Sequence, residues 1–350
     1  MVKIPAAIIG ATGIVGQRFV QLLDNHPWFQ VTAMTGSERN NGLTYAEACH
    51  WTLSDPMPDW AEGMILGRSD PEEIKAPLIF SSLPTQAAIE IEARFAQAGA
   101  IVCTNASAYR QEPDVPILLP EVNPDHLELI HTQRRERGWT GGIVTNANCT
   151  STGMTIVLKA LQDQYGLKRV FAVSLQALSG AGLPGVASLD IADNVLPWIA
   201  GEEEKVEQEP RKILGKLNDH TIKLADFVVA AHTNRVAVTD GHLVCLSVEL
   251  GQKALIQDVS NTLSHFSAPE ISHDLPLTPD PVIKVMEEDD RPQPRRDRMY
   301  GRGMTTVVGR LRPDPLFDLR MVVLSHNTIR GAAGGSIYNA ELITQAGLLG

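Results

Sequence analysis

The segment Ile8-Ile9-Gly10-Ala11-Thr12-Gly13-Ile14-Val15-Gly16 does most to limit what this chain can fold into. An apolar run, Ala6–Ile9, reads as a buried strand and stops at a glycine. A helical pattern follows over Val15–Leu23, with Val15, Phe19, Leu22 and Leu23 on one face. In such a junction Gly10 permits the tight turn, Gly13 lets the backbone approach a pyrophosphate, and Gly16 lets helix and strand pack closely. The helix N-terminus then offers unpaired N–H groups and partial positive charge to phosphates. The spacing is GxxGxxG rather than GxGxxG, so a purely structural turn is the alternative reading.

The same alternation continues. Gln30–Met34, Leu78–Ser81 and Ala100–Thr104 read as strands, and Gln86–Ala98 as a helix with Ala88, Ile91, Phe95 and Ala98 in register. Strands alternating with helices predict βαβ units and a mostly parallel sheet. After about residue 150 the texture changes. Met154–Tyr165 has helical spacing, and Val170–Leu178, Thr221–Ala231, His242–Leu250 and Thr305–Leu311 look like strands separated by long stretches. Ile256–His265 and Ser336–Gln345 fit helices. The expected fold is therefore α/β plus α+β: a Rossmann-like dinucleotide-binding domain over residues 1–148 and a second domain over 149–329. A last helix, over about 330–350, is expected to return to the first domain.

Charge excludes some classes of partner. Thirty Lys and Arg against 41 Asp and Glu give a net −11 over 350 residues, a poor match to nucleic acid or an anionic membrane. The basic stretch holding Arg295, Arg296 and Arg298 reads as a loop or subunit contact. No apolar run is long enough for a membrane helix, and the glycine-spaced N-terminus reads as structure rather than a targeting segment. The four cysteines, at 49, 103, 149 and 245, form no CxxC pair. That predicts a reduced, cytoplasmic chain with neither a disulfide framework nor a metal site.

Two local features suggest chemistry. The second strand runs into Thr35-Gly36-Ser37-Glu38-Arg39, where a hydroxyl and a guanidinium suit the 2′-phosphate of NADP. Adjacent Glu38 keeps NAD as the alternative. The second feature is Asn146-Ala147-Asn148-Cys149-Thr150-Ser151, just before the Met154 helix. With Thr150 or Ser151 as cap, Cys149 stands at a helix N-terminus, where the dipole favours a thiolate and free N–H groups suit an oxyanion. Cys103 and Cys245 lie in apolar strands and read as core; Cys49, beside His50 and Trp51, is undecided. A thiolate next to a nicotinamide suggests interconversion of a thioester and a thiohemiacetal by hydride transfer.

An ordered series of motifs over nearly the whole chain resembles the aspartate-semialdehyde dehydrogenase family, in its archaeal and fungal-type branch. The Gly10–Gly16 turn looks like that family's cofactor loop. Asn105-Ala-Ser-Ala-Tyr-Arg110 and Pro120-Glu-Val-Asn123 are similar to its substrate-phosphate segment, and Asn146-Ala-Asn-Cys149-Thr to its nucleophile motif. Gln176 heads a glycine-rich loop, Gly201-Glu-Glu-Glu-Lys205 is like a Glu/Lys substrate pair, and Asn234-Arg235 through His242 is like the substrate Arg and catalytic His. The branch commonly carries Ser-x-Arg-Ser and then Gly-Lys; here Asn40 follows Arg39 and Leu43 follows Gly42.

The resemblance implies NADPH-dependent conversion of L-aspartyl 4-phosphate to L-aspartate 4-semialdehyde and phosphate. Cys149 would be the nucleophile, His242 the acid/base that takes the thiol proton, and Gln176 the residue orienting the acyl group. Arg235 would hold the α-carboxylate, Arg110 and Lys205 the phosphate, and Glu202 the ammonium, with Asn148 beside them. Glu203 or Glu204 could replace Glu202 by a shift of one residue. Cofactor contacts are expected from Gly10, Thr12, Gly13, Ile14, Val15, Ser37, Arg39, Ser82, Leu83, Ser179, Gly180 and Asn327. The resemblance further implies a homodimer or homotetramer built through the second domain. The alternatives are a malonyl-CoA reductase, an N-acetyl-γ-glutamyl-phosphate reductase, or a non-catalytic NADP-binding sensor.

Overall fold

The computed structural model describes residues 2–349. Its first sheet has seven strands: β1 (Ile4–Ile9), β2 (Phe29–Thr35), β3 (Leu66–Gly67), β4 (Leu78–Ser81), β5 (Ile101–Thr104), β6 (Ile117–Leu118) and β7 (Gly142–Asn146). They lie in the order β3-β2-β1-β4-β5-β7-β6, and every pairing is parallel. A parallel sheet is covered on both faces, which is why Ala6–Ile9 is apolar without alternation and wholly buried. One face packs Phe19 and Val20 of the Ile14–Leu22 helix together with Ile337, Tyr338, Leu342 and Ile343 of the Gly334–Gln345 helix. Phe95 and Ala96 of the Thr85–Gln97 helix cover the other face. The strand order runs outward from β1 in one direction and from β4 in the other. The crevice at their carboxyl ends is where open α/β sheets bind ligands.

The second sheet is built from β8 (Leu167–Gln176), β11 (Val228–Arg235), β12 (His242–Leu250), β13 (Ile283–Val285), β14 (Thr306–Pro313) and β15 (Leu319–Ser325). Its order is β11-β8-β12-β15-β14-β13, antiparallel at the centre and parallel at both edges. One face is covered by the helices Cys149–Tyr165, Glu202–Ile213 and Ile256–Ser264. The opposite face is open: Val173, Cys245 and Val322 sit side by side across its middle.

Several elements depart from the sequence reading. The stretch expected as one strand over Thr221–Ala231 is two. A small hairpin pairs β9 (Lys216–Asn218) with β10 (Thr221–Lys223), and β11 starts afresh at Val228. The break occurs because Ala225 donates its N–H to Arg211 O, docking the chain on the preceding helix. Strands β7 and β15 and the helix Leu129–Arg137 were not anticipated; that helix is rich in charge and lacks an obvious apolar stripe. Cys245 is exposed on the open face rather than in the core, because strand alternation turns it away from Val244 and Leu246.

The chain between the sheets is tied by one fully buried ion pair. Arg330, in a one-turn π-helix (Ile329–Ala333), donates from Nη2 to both oxygens of Glu121 at 2.7 and 2.6 Å, and from Nε to one at 3.2 Å. Removing one partner of such a pair leaves an uncompensated buried charge. Glu121→Ala is expected to cost about 3–5 kcal/mol of stability, read as a shift of the urea midpoint in the purified protein. A shift near zero would mean that water or another group replaces the carboxylate.

Candidate active site

The cleft between the sheets is a cavity of about 560 Å³ with a wall from each. Gly13, Ile14, Val15, Ser82 and Leu83 come from the first sheet's turns. Asn148, Cys149, Ser179, Gly180, Glu202, Lys205 and Asn327 come from the other side, with Arg110 at the join. A second cavity of about 690 Å³ shares Gly13, Ser82, Leu83 and Pro84, and continues over Gly10, Thr12 and Ser37. The two together form a long trough across the ends of β1 and β4, the shape a dinucleotide requires. The turn fits such a group: Gly10 has φ +81°, and a Cβ at Gly16 would stand 2.3 Å from Gly10 O, so strand and helix meet without side chains. A Cβ at Gly13 would meet nothing closer than 3.8 Å, which leaves the approach to the turn open.

Cys149 is the first residue of its helix, and the N-cap is Asn148, not Thr150 or Ser151. Asn148 Oδ1 accepts from the N–H groups of Thr150 (2.9 Å) and Ser151 (3.3 Å), so neither is spare for an oxyanion. Sγ lies 3.2 Å from His242 Nε2, at the start of β12. The thiol is not a preformed thiolate. Burial and the nearby Glu202 carboxylate push it up to about 12, against the opposing pull of Arg110, Arg235 and Lys205. His242 is pushed down to about 3, by burial first and then by Arg235, so the ring is neutral across the physiological range. Ala177 N–H donates to His242 Nδ1 at 3.0 Å. In a neutral ring the remaining proton therefore sits on Nε2, pointing at the sulfur.

The charged groups converge through one helix. Glu202 accepts from Lys205 Nζ (2.7 Å), Asn148 Nδ2 (2.9 Å) and Gln176 Nε2 (3.4 Å). The one-residue alternatives point elsewhere: Glu203 accepts from Thr233 N–H, and Glu204 is exposed. Glu209, wholly buried, accepts from Arg110 Nη1 (3.0 Å) and Asn148 N–H (2.6 Å). Arg110 Nη2 donates to Asn105 O, and its buried Nε has no partner among the described residues. Arg235 donates to Ala177 O at 2.8 Å. Arg235 and His242 lie beneath Gly180, where a Cβ would be 2.9 Å from the guanidinium and 3.1 Å from the ring. Asn327 joins the loops above them, donating to Ser179 Oγ and accepting from Gly241 N–H, both at 2.8 Å. Against Cys149 the π-helix presents Gly331, where a Cβ would stand 2.8 Å from that of Cys149.

Known proteins share this layout. Residues 5–130 match the family model described as semialdehyde dehydrogenase, NAD binding domain, and residues 158–330 the one described as semialdehyde dehydrogenase, dimerisation domain. The chain is 49% identical over 336 residues to the aspartate-semialdehyde dehydrogenase of Archaeoglobus fulgidus, covering 96% of each. The chain belongs to the semialdehyde dehydrogenase family. It is also 44% identical to the Schizosaccharomyces pombe enzyme of the same name, covering 98% of each. The crystal structure of aspartate semialdehyde dehydrogenase with NADP from Candida albicans superposes with a TM-score of 0.90 at 37% identity, over 99% of this chain and all of that one.

Two residues of this family member's site escaped the sequence reading. Glu209 sits seven residues after Glu202, on the same helix face, inside a run that reads as solvated acid. Lys212, one turn further, donates to the carbonyls of Arg110, Glu112 and Val115 at 2.7–2.8 Å and fixes the Arg110 loop; burial pushes it down to about 8. Arg39 is exposed on a one-turn 3₁₀ helix and does not line either cavity, whereas Ser37 does. The high position of the Cys149 thiol has a direct readout. Thiolate rises about tenfold per pH unit below the thiol's pKa. Alkylation of Cys149 by iodoacetamide in the ligand-free protein is therefore expected to climb through pH 6–9 without levelling. A plateau below pH 8 would mean a thiolate already formed.

Proposed function

We propose that the protein is an NADPH-dependent aspartate-semialdehyde dehydrogenase of amino-acid biosynthesis. It reduces L-aspartyl 4-phosphate to L-aspartate 4-semialdehyde with release of phosphate, on the route to lysine (through diaminopimelate), threonine and methionine. The observation that carries this reading is Cys149 Sγ held 3.2 Å from His242 Nε2, in a cleft that also contains Arg110, Lys205 and the dinucleotide trough. When bound, NADPH supplies the hydride; Gly10, Thr12, Gly13, Ile14, Val15, Ser37, Ser82, Leu83, Ser179, Gly180 and Asn327 are the residues available to hold it.

The chain's own groups divide the remaining work. Cys149 attacks the acyl carbon, a C–S bond forms and the C–O bond to phosphate breaks. Because the neutral His242 ring already carries its proton on Nε2, the thiol proton leaves on the phosphate and not on the imidazole. The thioester is then reduced; Nε2–H hydrogen-bonds the oxyanion of the thiohemiacetal and keeps its proton, and as the C–S bond breaks and the aldehyde departs the sulfur recovers a proton from solvent. Arg110, through an Nε with no partner among the described residues, and Lys205 suit the phosphate; Glu202 suits the ammonium; Arg235 suits the α-carboxylate; Gln176 orients the acyl group. The paired cations favour an acyl phosphate over a CoA thioester.

The division into residues 1–148, 149–329 and a returning segment over 330–350 follows the same reading. The second unit is a dimerisation domain by its family match. The open sheet face around Val173, Cys245 and Val322 is the surface for a second copy, giving a homodimer or a homotetramer made of two. No helix among the described residues is long and apolar enough to cross a membrane, and we place the enzyme in the cytoplasm.

A reverse-direction assay separates the candidates. NADP reduction should require aspartate semialdehyde together with phosphate or arsenate, and activity with CoA in place of phosphate would reassign the enzyme. Cys149→Ser should lower turnover by several orders of magnitude while the Kd for NADPH changes by less than about threefold. His242→Asn should lower turnover by about 10²–10⁴-fold with little effect on binding; an intact rate would remove it from the chemistry.

A further inference from the structure

We infer that Arg68, at the end of the edge strand β3, is the residue that grips the 2′-phosphate of NADP and sets the preference over NAD. The inference rests on the cofactor reading above and goes beyond it by naming the selecting group. Gly67 pairs with Thr35, so Arg68 leaves β3 just as Gly36 leaves β2, at the same end of the sheet. Ser69 Oγ and Thr35 Oγ1 lie 2.7 Å apart and lock the two turns together. Ser37 and Arg68 thus flank one gap on the rim of the trough. A ribose phosphate with two negative charges needs a hydroxyl and a forked cation in that place.

Among the described residues lining this cavity, only Arg68 and Arg94 are cationic. Arg94 is already committed: Nη2 donates to Asp70 Oδ2 at 3.0 Å, and Asp70 also accepts from Glu72 N–H. Arg68 has a weaker tie. Its nearest carboxylate, Glu73, is 3.8 Å away, and the two side chains are 67% and 49% exposed. An exposed pair of that length contributes little and is readily exchanged for a dianion. The carboxylates on the same wall, Glu38, Asp70 and Glu90, would repel a phosphate, so the charge balance of the gap depends on Arg68. Arg39 is exposed and does not line this cavity.

The test is binding, independent of turnover. Dissociation constants for NADPH, NADH and adenosine 2′,5′-bisphosphate are measured by calorimetry on the wild type, Arg68→Ala, Arg68→Lys and Arg39→Ala. Loss of a charge-assisted pair predicts that Arg68→Ala weakens NADPH and the bisphosphate by about 10- to 100-fold. NADH should change by less than about threefold, and Arg68→Lys should recover part of the loss. Equal weakening of NADPH and NADH would place Arg68 against the adenine or ribose and overturn the inference. So would unchanged NADPH affinity, or a loss of selectivity that follows Arg39→Ala alone. A wild type that fails to prefer NADPH over NADH would overturn the cofactor reading itself, and this inference with it.

Discussion

Two carboxylates on one helix hold the reactive centre together. Glu202 and Glu209 are seven residues apart, about two turns, and so share a face. Both reach Asn148: Glu202 takes its side-chain amide and Glu209 its backbone N–H. Asn148 is in turn the cap of the helix that begins with Cys149. The same two acids position Lys205 and Arg110. One helix therefore sets Cys149, its cap and the two cations facing it. Buried charges are tolerable there because each is paired and hydrogen-bonded; deleting one partner would expose the rest to the cost of an isolated ion. The arrangement also explains why the thiol is held protonated. The acids that organise the site sit close enough to oppose a second negative charge, and the cations are largely occupied by them.

This network was the least legible part of the chain. A run such as Glu202-Glu203-Glu204-Lys205 looks like a solvated helix face, and only the burial imposed by the neighbouring loop reveals which acids turn inward. Glu209 gave no local signal at all, because its importance comes from Arg110, nearly a hundred residues away in sequence. The strand–turn–helix at Gly10, by contrast, is encoded locally, by glycines placed between two apolar patterns, and was readable. The motifs also singled out Cys149 and His242, which the fold brings within 3.2 Å of each other. The thiolate expectation rested on the helix dipole alone, which acts within a turn; it left out desolvation and the Glu202 carboxylate, which push the same thiol up. The tautomer of His242 was beyond reach too, since it is set by the backbone of Ala177.

The two sheets use similar apolar strands for different ends. In the first, both faces are covered by the chain itself, and the final helix returns to complete the cover. In the second, one face is covered and the other keeps Val173, Cys245 and Val322 together in the open. Strand β12 serves both sides: Val244 and Leu246 pack inward, Cys245 faces outward, and His242 at its first residue enters the active cleft.

The contact at Gly331 has a mechanical consequence. Main chain at Gly331 lies directly against Cys149, with no room for even one more carbon. Any side chain at 331 would have to displace Cys149 itself, so that position admits glycine alone, and the placement of Cys149 is inherited from the segment that leads into the last helix.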